Sequence, residues 1–169
     1  ALDTLQAYGP RVSRRKCNVA DQDKVKACFA ETLKIHGRVD GCFANAGIGA
    51  RGGDFDKMDE AEWHRIMDVN LHGVFYTFKC AAAHMRDRAD NGDPFGRLIA
   101  TASLAVVSGQ AKGEHYAATK GALVPMIKAL AVEYARHGIT AHALLPGWVE
   151  TRMTEQTFAW EKFANNVMP

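Results

Sequence analysis

The sequence predicts an α/β fold built on a doubly wound parallel sheet, and three observations carry that expectation. Short apolar runs alternate with longer stretches of helical periodicity along the whole chain, the pattern of strands joined by crossover helices. Small and polar residues collect where those apolar runs end, and sheets of this kind bind ligands beyond the carboxyl ends of their strands. The length of 169 residues suits one domain with a real core and is short for two.

Taken in order, "ALDTLQAYGP" reads as the tail of a helix stopped by Gly9-Pro10. Residues 12–19, "VSRRKCNV", are a short strand candidate. "ADQDKVKACFAETLKIHG" carries Val25, Cys28, Phe29 and Leu33 at helical spacing, with Gly37 as its stop. "VDGCFANAG" has the pattern of a buried strand ending in small residues. "DEAEWHRIMDVNLHGVFYTFKCAAAHMRDR" is a long helix opened by an acidic first turn, which suits the helix dipole. "FGRLIATAS" is another strand, followed by a loop through Gly113.

The next helix buries a stripe of Leu123, Met126, Ile127, Leu130 and Tyr134. Pro125 lies inside it and cannot donate to the carbonyl of Gly121, so a local bend just after Lys120 is expected. "ITAHALL" is a strand ended by Pro146-Gly147. The tail 151–169 looks helical and partly amphipathic, and is expected to lie over the substrate side as a lid. No internal repeat, low-complexity tract or long linker interrupts the series.

Composition narrows the function. Hydrophobic residues make up 47%, typical of a globular protein in water, and the net charge of +2 gives no case for nucleic acid or an anionic membrane. No apolar run approaches the roughly 20 residues of a bilayer span, and no signal-peptide pattern opens the sequence. Cys17, Cys28, Cys42 and Cys80 match no zinc or redox spacing, so Cys42 is expected to be a buried free thiol and the setting reducing and cytoplasmic. The histidines show no ligand spacing, so no metal site is expected.

The carboxyl-edge rule sorts the remaining residues. Asn18, Asn45-Ala46-Gly47, Ser103 and Pro146-Gly147 each fall at a predicted strand end. Tyr116 and Lys120 open the helix that follows one of those strands. Four residues apart on a helix, they stand side by side. A tyrosine hydroxyl ordinarily titrates near ~10, and a neighbouring ammonium favours its ionised form. The pair is either a general acid tuned for neutral pH or two ordinary helix neighbours. His115 points about 100° away from Tyr116 on the same helix and is expected to face solvent.

The ordered set "ANAG" at 44–47, Asn70, Ser103, Tyr116-x3-Lys120 and "PGWVET" at 146–151 resembles the short-chain dehydrogenase/reductase family, over essentially the whole chain. The resemblance implies a Rossmann-like domain over 1–169 that binds NAD or NADP. It implies an NAD(P)-dependent oxidoreductase interconverting a secondary alcohol and a ketone or related carbonyl by hydride transfer. Tyr116 would be the general acid/base, Ser103 would hydrogen-bond the substrate oxygen, and Lys120 would tune Tyr116 and hold the nicotinamide ribose. Asn70 would anchor a water linking Lys120 to solvent.

By the same resemblance, Asn18 and Val19 would border adenine, Ala46 and Gly47 would let the backbone approach the adenosine half, and Pro146, Gly147, Val149 and Thr151 would flank the nicotinamide. Asn45 is weighted towards bracing strands, and Thr151 competes with a capping role before "RMTE". Trp148 stands between lining an apolar substrate pocket and packing, while Phe158, Trp160 and Phe163 lean to packing. The loop "LAVVSGQAKGE" should border the substrate. The helices at 60–89 and 114–137 are the surfaces such enzymes pair into homodimers or homotetramers.

Two departures stand out. Asn18 occupies a position where the family usually has Asp, although an amide oxygen still accepts a hydrogen bond. The family's glycine-rich pyrophosphate turn is not found before residue 47. The chain is therefore expected to be an incomplete copy of a longer subunit, without the first βαβ unit of about 30 residues and without the last helix and strand. Two rival readings remain: an epimerase- or dehydratase-type enzyme on the same fold, and a non-catalytic dinucleotide-binding or regulatory protein.

Overall fold

A computed structural model describes residues 8–155. Helix α1 (Gln22–His36) begins where the Asp21 carboxylate accepts from the amides of Asp23 and Lys24. It ends at Gly37, whose φ of 77° is the left-handed conformation a helix stop requires. Strand β1 (Gly41–Ala44) follows, then helix α2 (Glu60–Met67), capped by the Asp59 carboxylate on the amide of Ala61. Helix α3 (Gly73–Asp90) leads into β2 (Gly96–Thr101). The short α4 (Ala105–Ser108), the long α5 (Glu114–Tyr134) and β3 (Ile139–Leu144) complete the series.

The three strands form a parallel sheet in the order β1-β2-β3. Its register pairs Cys42 with Leu98 and Leu98 with Ala141, and so sets alternate residues of all three strands on one face. On that face Ala44, Leu98 and Ala100 meet Val74, Phe78, Ala82 and Met85 of α3 and Leu123 and Ile127 of α5. Helix α1 leans on α3, and α2 on α5. The opposite face presents Phe43, which is 52% exposed. No helix among the described residues is long and apolar enough to cross a membrane.

Several expectations change. Residues 12–19 form no strand: Val12 is extended, but the segment makes no ladder hydrogen bonds with β1. Alternating residues supply the shape of a strand, but a ladder needs a neighbouring edge in register. Gly9–Arg11 form a 3₁₀ turn, and the helix tail expected before it lies largely outside the described residues. So does most of the predicted lid, since only 151–155 of it are described.

The long helix is continuous from Glu60 to Asp90 but widens into a π-helical turn over Asp68–His72, with Asn70 fully buried in it. Such turns are frequent at functional sites. Part of the loop after β2 is helical, as α4. Helix α5 runs unbroken through Pro125. A Cβ built at Gly121, whose carbonyl loses the proline's donor, would meet nothing within 4 Å.

Candidate active site

The carboxyl ends of the three strands meet the amino end of α5. Ser103 follows β2 and Tyr116 lies in the first turn of α5; both line one cavity of about 410 Å³. Gly49 and Ala50 wall one side, Leu104, Ala105 and Gln110 another, and Pro146, Gly147 and Trp148 a third. The loop expected to border the substrate lines this cavity. Among the described lining residues, apolar groups such as Leu104, Trp148 and Met153 mix with Ser108, Gln110 and Thr154.

Lys120 stands one turn further along α5. Its Nζ lies 5.8 Å from the centre of the Tyr116 ring and donates to the carbonyl of Thr101 at 2.6 Å. The side chain is buried, and removal from water pushes its pKa down to about 8. A carbonyl dipole offsets part of the cost of an ammonium but lacks the full charge of a carboxylate.

Asn70 is pinned from both ends of its amide. Its Oδ1 accepts from the backbone N–H of Ile48 at 2.8 Å, and its Nδ2 donates to the carbonyl of Ile48 at 2.9 Å. Gly47 lies between Asn70 and Lys120: a Cβ there would sit 3.4 Å from both Asn70 Oδ1 and Lys120 Nζ. The missing side chain leaves a strip of open backbone beside a buried amine.

The cofactor-edge residues divide. The Asn45 amide oxygen accepts from the Thr101 hydroxyl at 2.8 Å, a brace between two strand ends. Asn18 makes a local turn, its Oδ1 accepting from the amide of Ala20 at 3.2 Å. Val19 packs on Gly73 of α3, where a Cβ would come within 2.8 Å of its Cγ2. The Thr151 amide donates to the Thr154 hydroxyl, which donates in turn to the carbonyl of Val149 at 2.6 Å. Thr151 thus belongs to a tight turn, in which its carbonyl rather than its side chain accepts from the amide of Thr154. Ser103 Oγ accepts from the amide of Ala105 at 3.2 Å, and the carbonyl of Pro146 accepts from Leu104.

One expectation is overturned. His115 does not face solvent; it is fully buried against α2, with Glu62 Oε1 4.0 Å from its Nε2. The signal was present in the stripe itself. Counting back by fours from Ile127 and Leu123 reaches Thr119 and His115, and all four are buried. Glu62 was also missed, because an acid in a first helical turn reads as a dipole partner. Cys42 is partly buried as a free thiol, and burial pushes its pKa up to about 11.

The chain matches, over residues 2–168, the family described as Enoyl-(Acyl carrier protein) reductase. A 2,5-dichloro-2,5-cyclohexadiene-1,4-diol dehydrogenase of Sphingobium indicum is 31% identical over 98% of this chain and 66% of its own length. This chain belongs to the short-chain dehydrogenase/reductase family.

Among solved relatives, a 3-ketoacyl-(acyl-carrier-protein) reductase of Brucella melitensis, complexed with NADH, superposes with a TM-score of 0.81 at 29% identity. It covers 89% of this chain and 61% of its own. A gluconate 5-dehydrogenase of Burkholderia cenocepacia, in complex with NADP and tartrate, gives 0.80 at 33% identity, over 87% of this chain and 55% of its own. The parallel sheet with its crossover helices is the Rossmann-like arrangement of this family. The chain spans between 51% and 66% of the length of the curated relatives it matches.

The residues present fit the nicotinamide end of a dinucleotide. A buried amine beside an open glycine backbone suits ribose hydroxyls, and the cavity beyond Tyr116 has room for a ring and a small substrate.

Proposed function

We propose that this chain carries the catalytic half of an NAD(P)-dependent oxidoreductase that interconverts a secondary alcohol and a ketone or related carbonyl. The observation behind the reading is the shared cavity: Ser103 and Tyr116 line it together, with Lys120 buried behind Tyr116. A bound nicotinamide would give or take the hydride. Tyr116 passes its phenolic proton to the substrate oxygen in reduction and takes one back in oxidation. Ser103 donates to the same oxygen as charge develops there. Lys120 lends positive charge to the Tyr116 side and holds the ribose. Asn70 fixes Ile48 and so keeps Gly47 clear of the amine.

In the same proposal Gly147, Val149 and Thr151 border the nicotinamide, Asn18, Val19 and Ala46 the adenosine half, and Trp148 the substrate. NAD-type cofactors bound to structural relatives support the cofactor class. The substrate is a small molecule that tolerates a moderately apolar cavity. Phe75 on α3 and Val132 on α5, the latter 82% exposed, support pairing into a homodimer or homotetramer. The four free cysteines support a reducing, cytoplasmic setting.

The test is thermal unfolding of the full-length protein with NAD, NADH, NADP and NADPH, followed by turnover of carbonyl substrates. Ligand at about 100 times its dissociation constant adds about 2.7 kcal/mol, a shift of several degrees. Stoichiometric NAD(P)H consumption supports a dehydrogenase; turnover with the cofactor recycled would indicate an epimerase- or dehydratase-type reaction. No shift and no turnover sink the proposal.

A further inference from the structure

His115 presents the least expected side chain in the site. It has no measurable exposure, and neither ring nitrogen has a hydrogen-bond partner among the described residues. An imidazole always carries at least one N–H donor. Buried polar groups are almost always paired, so an imidazole kept here needs a reason that an apolar side chain would not satisfy. The facing group is Glu62 Oε1, 4.0 Å from Nε2. A hydrogen bond between them requires the two groups to close by about 1 Å.

Glu62 is already a junction. It accepts from Arg65 at 2.7 Å through both oxygens and from the backbone N–H of Arg51 at 3.3 Å. The loop between Ile48 and Arg51 is thereby clamped twice, by Asn70 at Ile48 and by Glu62 at Arg51. The two residues between the clamps, Gly49 and Ala50, wall the cavity that Tyr116 lines. His115 is the residue immediately before Tyr116. It therefore stands between the clamped wall and the helix turn that carries the proton donor.

We propose that His115 is a positioning residue: paired with Glu62, it fixes the first turn of α5, and hence Tyr116, against the Gly49–Ala50 wall of the substrate cavity. The proposal rests on the function proposed above for Tyr116, and it assigns His115 no contact with substrate. A misplacement of about 1 Å at a reacting group is enough to cost up to ~10²-fold in rate.

The experiment compares His115→Phe, His115→Gln, Glu62→Gln and the Phe/Gln double variant in the full-length protein. It reads kcat, KM, cofactor affinity and thermal midpoint, with imidazole ¹⁵N NMR of the wild type and of Glu62→Gln. His115→Phe is expected to lower kcat about tenfold with cofactor affinity unchanged, a partial share of that positioning effect. His115→Gln, which returns an N–H near the Nε2 position, recovers most of the loss. Glu62→Gln lowers kcat and adds nothing in the His115→Phe background. It also moves the His115 ring ¹⁵N signals.

A wild-type kcat in His115→Phe with only a lowered midpoint would make the residue a packing element and overturn the proposal. Additive losses, or unmoved ¹⁵N signals, would overturn it as well. If His115→Phe fails to fold, the ¹⁵N comparison decides. Lack of turnover by the wild type would count against the proposed function, and the ¹⁵N signals would still decide whether the pair exists.

Discussion

The two ends of the sheet handle charge in opposite ways. At the amino ends of β1 and β2, Arg38, Asp40, Arg88 and Asp93 form a closed network: Arg88 reaches both Asp40 and Asp93, and Arg38 reaches both as well. Every charge has an opposite charge beside it, and three of the four side chains are roughly half in water. At the carboxyl ends, Lys120 is buried against a carbonyl, and its pKa falls to about 8. At the amino end the Arg38 guanidinium beside Asp40 holds that carboxyl below the usual carboxylate range. The carboxyl end accepts the cost of a buried amine, and groups shifted in that way are where proton chemistry is found.

The sharpest break of this contrast is Tyr116→Phe, which keeps the ring and removes the proton. Turnover is expected to fall by about 10²–10⁴, the span of general acid–base effects, while cofactor affinity stays near wild type. Equal losses in both would reassign Tyr116 to binding.

Asn70→Ala comes next. It removes the side-chain partner from the part-buried N–H and C=O of Ile48, at up to roughly 1–3 kcal/mol each. Urea unfolding measures that loss, and turnover should fall with it as the Gly47–Gly49 backbone loosens. An unchanged midpoint would mean that the clamp is not needed for the fold.

Lys120→Met tests the cost of the buried amine through pH. The folded protein holds the Lys120 proton less tightly than the unfolded chain, whose value is 10.5. Between pH 8 and 10.5 the unfolded state therefore binds more protons, and wild-type stability rises relative to the variant. The rise is of order 3 kcal/mol across that window, read from denaturant midpoints at several pH values. Parallel curves for the two proteins would show that Lys120 titrates as it does in water.

The smallest effects belong to the amino-end network. Arg88, the least exposed of the four side chains, also donates to the carbonyl of Val39. Arg88→Ala should cost about 1–3 kcal/mol, because it takes the side-chain partner from the carbonyl of Val39 and one of two arginine partners from each carboxylate. Arg38→Ala, at a side chain 52% exposed, should cost much less than Arg88→Ala, since exposed ion pairs contribute little. Both should leave turnover untouched, and a change in kcat from either would erase the division between the two ends.

Most of the site was legible before the fold was known. Tyr116 and Lys120 are one helical turn apart, so their adjacency is a local property. Asn45 was read as a brace, and the hydrogen bond from Thr101 agrees. His115 was misread because adjacency to Tyr116 was taken to fix its direction outward, whereas its direction is set by α2 packing across the helix. Residues 12–19 mislead for a related reason: a strand is defined by a partner, and a single segment does not contain one.

The sequence by itself determined the order of the helices and of the three strands from Gly41 onward, the helix stop at Gly37, and the placement of the proposed catalytic set along one edge. All of these follow from periodicities and hydrogen bonds that span a few residues. Only the tertiary structure decided that Asn70 would clamp Ile48, that Lys120 would lie against the carbonyl of Thr101, and that His115 would meet Glu62. Each of those contacts joins residues 19 to 53 positions apart. Their closeness is set by which helices, strands and loops pack together, a property no local window of the chain contains.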